Sequence, residues 1–377
     1  GAAALRQAIL LATGGLIGLI ALGETRRKND NDREAAENLR IHQQDTLDQQ
    51  KDQFEKQLEK QQEQFEANAF KDRKAERRER YTKAVEQLGD EKAPVRMGGV
   101  YTLVGLVDEW LEEESIRKYD DRLKEGQVII NNLCAYIRSI PNGLTSIDLE
   151  SGAAPSDEAK IRQTIFSEMS NRINPKNQKN LLWTDLKFDF SDSPIFYPLD
   201  DKVFMNADFQ KSNFYKLASF SRSNFYGETK FTGSDFYIRS KYDNSKFYGP
   251  ADFSSTRLGR PLSTNAELRG MKNQLRETIR YASIPRNIIS ANYSADFSKT
   301  FFEQKANFNE VYFYIKATFE SSNFSTEPNF DSSYFTCKED SNFSTHSNNI
   351  QLEVAELIDK SGNSCTHELP IGSRIFD

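Results

Sequence analysis

The sequence predicts an N-terminal transmembrane helix and long charged helix, then an α-helical bundle, and then a β-helix solenoid. Three observations predict it. Residues 8–23 carry no charge. Residues 29–80 contain neither Pro nor Gly. From Phe204 to Phe335, aromatic residues recur at intervals that mostly alternate between five and six.

The solenoid carries the strongest signal. Of 27 Phe in the chain, most follow residue 185. Eighteen aromatic centres form two runs, Phe204 to Phe253 (with Tyr242 at one centre) and Phe297 to Phe335. Two positions before the centre stands Ala, Ser or Thr in 15 cases, the exceptions being Lys202, Val311 and Pro328. Neither a 3.6-residue nor a 2-residue period sustains such spacing. It fits a square coil in which each unit turns one corner, a ring and a small side chain share the interior, and coils stack as strands about 4.8 Å apart. Four units give about 22 residues per coil, and no coil buries its interior alone. The reading places a first run at 181–253, an insert at 254–289 that interrupts the repeat, a second run at 290–347 and a cap at 348–377. Within the cap, Leu352, Val354, Ala355, Leu357 and Ile358 predict a short helix over 350–360.

The insert opens with the capping box Thr264-Asn265-Ala266-Glu267. Leu268, Met271, Leu275 and Ile279 then form an apolar stripe. Arg269, Lys272, Arg276 and Arg280 repeat the spacing one residue later as a basic stripe. It reads either as a solvated helix face or as a partner-binding face for an acidic protein or anionic lipid.

Residues 1–23 hold a single charge, Arg6, and suffice to span about 30 Å of hydrocarbon as a helix. The chain opens at Gly1 rather than Met, the pattern of a trimmed sequence, so the number of spans stays open. Arg26, Arg27 and Lys28 follow directly and place the remainder in the cytoplasm by the positive-inside rule. Gly14 and Gly18 stand four apart, a spacing that lets two membrane helices pack closely. Residues 24–80 read as a charged helical stalk. Leu47, Phe54, Leu58 and Phe65 show heptad spacing, but Lys51 and Gln61 break the seam, so a solvated helix and a coiled coil are both open.

The helical bundle spans 81–180. One helix ends at Gly89 and a second starts near Pro94, carrying Met97, Val100, Tyr101, Val104, Val107 and Leu111. A third runs from about Asp121 to Ile140 with Val128, Ile129, Leu133, Tyr136 and Ile137 inward, and a fourth follows Pro155. Cys134 is expected in the core. Cys337 and Cys365 read as idle thiols in a reducing compartment, or as a bridge in an oxidising one. His42, His346 and His367 stand alone in the sequence, without HExxH, a phosphate loop or GxSxG. No catalytic, cofactor-binding or metal-ligating residue is expected. A net charge of −6 disfavours general nucleic-acid binding.

The units ADF at 207–209, SNF at 223–225 and ANF at 306–308 resemble the pentapeptide-repeat family. That resemblance implies a right-handed quadrilateral β-helix. RERYTKAVEQLGDEKAPVRMGGVYTL at 78–103 and LCAYIRSIP at 133–141 resemble the HEAT-like helical module of bacterial, especially actinobacterial, membrane-anchored pentapeptide-repeat proteins. Together the two cover most of residues 78–343, and they bring no catalytic residues. The expected function is a non-enzymatic binding scaffold, tethered to the inner (plasma) membrane, facing the cytoplasm. A protein partner and self-association through anchor and stalk are expected with it. Rival readings are a membrane effector in stress or phage defence, and a DNA-mimicking topoisomerase regulator. The latter calls for an acidic solenoid, whereas residues 186–253 carry nine acidic and nine basic side chains. Residues 290–347 carry eight acidic against four basic.

Overall fold

A computed structural model describes residues 1–141, 156–176, 183–215, 218–237, 239–260, 294–337, 340–346, 350–358 and 364–376. The chain divides into two units, Gly1–Glu76 and Arg77–Asp377.

Helix α1 runs unbroken over Ala2–Leu88. Its first unit holds the uncharged N-terminal stretch, long and apolar enough to cross a membrane by length and composition. The large apolar residues there, among them Ile9, Leu16 and Ile20, are exposed, as are Leu47, Phe54, Leu58 and Phe65 further on.

In the second unit, the end of α1 packs with α2 (Ala93–Leu111), α3 (Tyr119–Arg138) and α4 (Ser156–Ile173). Two residues expected on inward faces point out: Tyr101 is 53% and Val128 51% exposed. The buried stripe of α3 is Gly126, Ile129, Ile130, Leu133, Cys134 and Ile137, which leaves Val128 on the opposite side of the turn. Arg77 of α1 meets Glu113, just past the end of α2, at 2.7 Å and lies over the Trp110 ring of α2.

The repeat region is a parallel β-solenoid with four faces. Face 1 stacks Phe188–Asp189, Ala207–Asp208, Thr229–Lys230, Ala251–Asp252 and Ala306–Asn307. Face 2 includes Asn213–Phe214, Asp235–Phe236, Arg257–Leu258, Tyr312–Phe313 and Tyr334–Thr336. Face 3 stacks Ala218–Ser219, Ser240–Lys241, Ser294–Asp296 and Lys316–Thr318. Face 4 includes Asn224–Tyr226, Lys246–Phe247, Phe301–Phe302 and Asn323–Phe324.

The five/six alternation is two kinds of corner. Apart from the first step, from Phe204 on face 4 to Phe209, each step of five follows a centre at the end of face 1 or face 3, and the residue two past that centre takes a left-handed backbone. Lys211, Arg222, Asn244, Lys299 and Ser321 do so at φ of 55–58°. Gly233 has the same role at φ +68°, where only glycine escapes the Cβ penalty. The steps of six, out of faces 2 and 4, have one more residue and a wider turn.

The choice of small residue also has a cause. Before centres on faces 2 and 4 it is mostly Ser or Thr, and its hydroxyl donates to the carbonyl of a ring residue one coil below. Ser212 donates to Phe190 at 2.8 Å, Ser234 to Phe209 at 2.7 Å, Thr300 to Tyr242 at 2.6 Å and Ser333 to Phe308 at 2.6 Å. At the ends of faces 1 and 3, Ala serves in most units, as at Ala207, Ala251 and Ala306, because there the residue lies within the strand ladder. Inside, rings stack in ladders. Phe204, Phe225, Phe247, Phe302 and Phe324 stand 4.8, 4.4, 4.9 and 4.7 Å apart.

The stack does not break at residue 254, as the sequence suggested. Arg257–Leu258 continues face 2, and Leu258 fills the ring position between Phe236 and Phe313. Tyr242 stacks on Phe297 at 4.9 Å. Register therefore passes directly from one run to the other. Coils repeat every 22 residues from Phe209 to Phe231 to Phe253, and the next step, to Phe308, spans 55. Thirty-three residues, 261–293, thus stand between Arg260 and Ser294 in the chain while the ladder continues across them.

The helix expected over 350–360 is replaced by a strand. Leu352–Ile358 pairs antiparallel with Ser364–Pro370 in a hairpin of seven residue pairs. Ala355 and Leu357 are the partly covered side of this strand while Leu352, Val354, Glu356 and Ile358 are exposed, so the pairing with the partner strand, rather than apolar periodicity, selects the strand. The chain then adds Arg374–Phe376 to face 2, beyond Tyr334–Thr336.

Helices and solenoid share one core running from Ala84 to Ile375. Phe166 of α4 lies 4.6 Å from Phe190 and covers the first coil. Arg162, 1% exposed, bonds Glu158 at 2.6 Å and donates to the Ile137 and Ser139 carbonyls. Its guanidinium also lies over Tyr136 and Phe196. This satisfies the buried charge and joins α3, α4 and the solenoid's start.

Candidate interaction faces and a C-terminal cluster

The basic stripe Arg269, Lys272, Arg276 and Arg280 lies outside the described residues, as does the rest of 261–293. The described flanks fix where this segment leaves and returns: between face 2 and face 3. At the exit, Asp235 receives Arg257 (Nη2 at 2.7 Å) and Arg260 (Nη1 at 2.9 Å). Arg260 also lies over the Tyr237 ring. Burial, with the Asp235 charge adding to it, pushes the Tyr237 phenol well up from its ordinary value. The exit is thus a corner where two cations already share one carboxylate.

Gly14 and Gly18 lie on one side of α1, and a Cβ at either would meet nothing within 4 Å.

The outer faces carry rows of residues that the inward pattern leaves free. Tyrosines stack in pairs: Tyr226 on Tyr248 at 4.6 Å, Tyr215 on Tyr237 at 5.1 Å, and Tyr312 on Tyr334 at 4.5 Å. Polar rows alternate with them. Arg222 grips Asp201 through two bonds of 2.7 Å, and Asn307 donates to Asp252 at 3.0 Å. These rows place like groups at coil spacing on a rigid support, where they can bind a surface.

A different constellation stands at the C-terminal end. Cys337, one residue past the Tyr334–Thr336 strand, is joined to Cys365 in a disulfide. The reading of both as idle thiols is therefore overturned, and the bridge is the form present. Cys134 is free and buried, as expected, and burial pushes its thiol up to about 12. His367 lies two residues beyond Cys365, on the same face of its strand. Its Nε2 is 3.3 Å from Cys365 Sγ and 3.2 Å from the Cys337 carbonyl oxygen. Its Nδ1 is 2.6 Å from Asp340 Oδ1. The sequence left a Cys337–Cys365 bridge open across 28 positions but read His367 as standing alone. Cys365 and His367 share one strand of the hairpin, and Cys337, at the end of a face 2 strand, meets them only in the folded chain.

Comparison with known proteins agrees with the repeat. A family profile described as "Pentapeptide repeats (9 copies)" matches residues 209–259. Its last residues cover Arg257–Leu258, the stretch that continues face 2. No curated protein and no solved structure shows significant similarity to the chain. Pentapeptide repeats are present, within a helical N-terminal region followed by a parallel-strand solenoid. Proteins built on this repeat are generally non-catalytic.

Proposed function

We propose that the chain is a non-enzymatic scaffold, tethered to a membrane through residues 1–23 and binding a protein partner through its solenoid and residues 261–293. The observation that carries this reading is the uninterrupted register from Phe253 to Phe308. A 33-residue segment that the stack does not need for its own closure is a feature suited to recognition. The exposed apolar start of α1 supports the tether, and the open surface at Gly14 and Gly18 supports self-association there. The bundle preceding the solenoid is read as the HEAT-like module of bacterial membrane-anchored relatives.

Two features bear on the compartment and pull apart. Arg26, Arg27 and Lys28 favour a cytoplasmic side. A standing disulfide is more at home in an oxidising compartment. A cytoplasmic location requires the Cys337–Cys365 bond to be reversible there.

The test is membrane fractionation and liposome binding with the full chain. The parent should stay with carbonate-washed membranes, and a chain lacking residues 1–23 should be released. Changing Arg269, Lys272, Arg276 and Arg280 to Glu should weaken partner or anionic-liposome binding in a salt-dependent way while folding persists. A folded quadruple variant that keeps every interaction of the parent removes the basic stripe from the reading.

A further inference from the structure

Among the described residues, one group has the composition of a metal site: Cys337, Cys365 and His367, whose ligand atoms all lie within 4.8 Å of one another. We propose that reduction of the Cys337–Cys365 bond converts this group into a zinc site, with Asp340 as the positioning carboxylate behind the imidazole. The inference stands apart from the scaffold reading and does not need it.

The chemistry favours zinc. Two thiolates and one imidazole form a soft-to-borderline donor set, suited to Zn²⁺ rather than to Mg²⁺ or Ca²⁺. Zinc–sulfur bonds of about 2.3 Å and zinc–nitrogen bonds of about 2.0 Å require ligand atoms roughly 3.5–3.8 Å apart in a tetrahedron. Cys365 Sγ and His367 Nε2 already stand 3.3 Å apart. Once the sulfur–sulfur bond opens, the two sulfurs separate, and every ligand atom starts within 4.8 Å of the others.

The backbone supports that geometry. Cys365 and His367 alternate on a strand held through seven pairs, so their spacing is fixed by the hairpin. Cys337 is held by its own amide, which donates to the Phe376 carbonyl at 3.0 Å. Asp340 fixes the ring. Nδ1 stands 2.6 Å from that carboxylate, so Nε2 is the nitrogen on the sulfur side; it lies 3.2 Å from the Cys337 carbonyl oxygen in the oxidised form and gives up that contact and its proton when it takes the metal. A carboxylate behind a ligating imidazole orients the ring and raises its basicity. His367 is 11% exposed while Asp340 is 89% exposed, so the ligand side faces inward and the carboxylate stands in water. A purely structural crosslink has no use for such an oriented imidazole.

The redox step balances. A dithiol reductant gives two electrons and two protons to the Cys337–Cys365 bond; that bond breaks, two thiols form, and the reductant closes its own disulfide. Zn²⁺ then takes both sulfurs as thiolates, their two protons and the Nε2 proton leave to solvent, and the Nε2 lone pair becomes the third ligand. The metal's oxidation state does not change, and a fourth position remains for water. Oxidation reverses the sequence and releases zinc.

The experiment uses the full chain in detergent, reduced and freed of metal, titrated with Co²⁺ and then Zn²⁺. The expected result is one Co²⁺ per chain, with thiolate-to-cobalt absorption in the near ultraviolet that Zn²⁺ displaces and reoxidation abolishes. His367→Ala should lose the tetrahedral cobalt spectrum. Asp340→Asn should weaken binding by about 10- to 100-fold with the spectrum retained. Cys134→Ser should bind as the parent does. A reduced parent that binds no more metal than Cys337→Ser/Cys365→Ser overturns the proposal. So does binding that is indifferent to His367→Ala. Should the double variant fail to fold, the oxidised parent supplies the non-binding control.

Discussion

The rings of Phe253 and Phe308 lie 5.1 Å apart and within 6° of parallel, although 55 positions separate them in sequence. They are successive rungs of one ladder. The crossing from Phe236 on face 2 to Ser240 on face 3 takes four steps, and Leu258 to Ala295 makes the same crossing with the extra segment included.

Removal of residues 261–293 follows directly. Joining Arg260 to Ser294 restores the four-step crossing, so the shortened chain should keep the parent's far-ultraviolet circular dichroism and melt cooperatively at a similar temperature. A melting transition that broadens or collapses would show that the segment holds the stack together.

Ring truncation should separate inside from outside. Phe225 and Phe319 are fully buried, and their change to Ala should cost about 3–5 kcal/mol, as for large cavities elsewhere. Tyr226 is half-buried and stacks only on Tyr248, so Tyr226→Ala should cost closer to the 0.5–1.5 kcal/mol of an aromatic pair plus modest area. Equal losses by chemical denaturation at Phe225 and Tyr226 contradict the register.

Tyr242 is a ring among rings. It stacks between Phe220 and Phe297, and its hydroxyl has no hydrogen-bond partner among the described residues. Burial drives its phenol well above the usual value. Tyr242→Phe should therefore raise the melting temperature, since an unpaired buried hydroxyl costs about 1–3 kcal/mol. A clear drop would mean that the oxygen has a partner worth keeping.

Acid should act on the outer rows. Hydrogen bonding from Arg222, against a slight opposing effect of burial, holds the Asp201 carboxyl below its usual range. A lowered folded value contributes stability above the unfolded carboxylate range, and that contribution is lost as pH falls through the folded value. The gap in melting temperature between the parent and Asp201→Asn should be small, present at neutral pH, and closed in acid. Because the pair is exposed, salt should narrow it as well. A gap that widens on acidification reverses the sign and refutes the assignment.

Thiol labelling distinguishes the cysteines. In the reduced, folded, metal-free chain, an alkylating reagent near pH 8 should reach Cys337 and Cys365 but leave Cys134, whose thiol burial raises to about 12. Prompt modification of Cys134 without unfolding would contradict its place in the core.

Much of this fold was legible because the solenoid writes its interior into the sequence at a fixed interval. Leu258 was missed because it is a centre without a ring, and without it the repeat seemed to end at Phe253. The division of labour between Ala207 and Ser212 was also present in the letters. It passes unnoticed when small residues are counted together rather than by corner. The C-terminal hairpin was hidden for another reason: Leu352 to Ile358 has no clean strand alternation, with Glu353 and Glu356 on opposite sides, and only pairing with Ser364–Pro370 makes it a strand. Cys337 meets Cys365 and His367 only in the folded chain, so no local spacing could announce the group.

The corners also make the solenoid a ruler. Since every full coil returns the chain to the same face, anything mounted on a face is displaced along the axis only in whole steps of about 4.8 Å. Tyr226 and Tyr248 stand one such step apart, as do Asp201 and Arg222. Gain or loss of a 22-residue coil between two mounted groups changes their distance by one increment and leaves their bearing about the axis the same. Distances between binding groups on this protein are therefore quantised, and spacing can be adjusted without re-aiming either group.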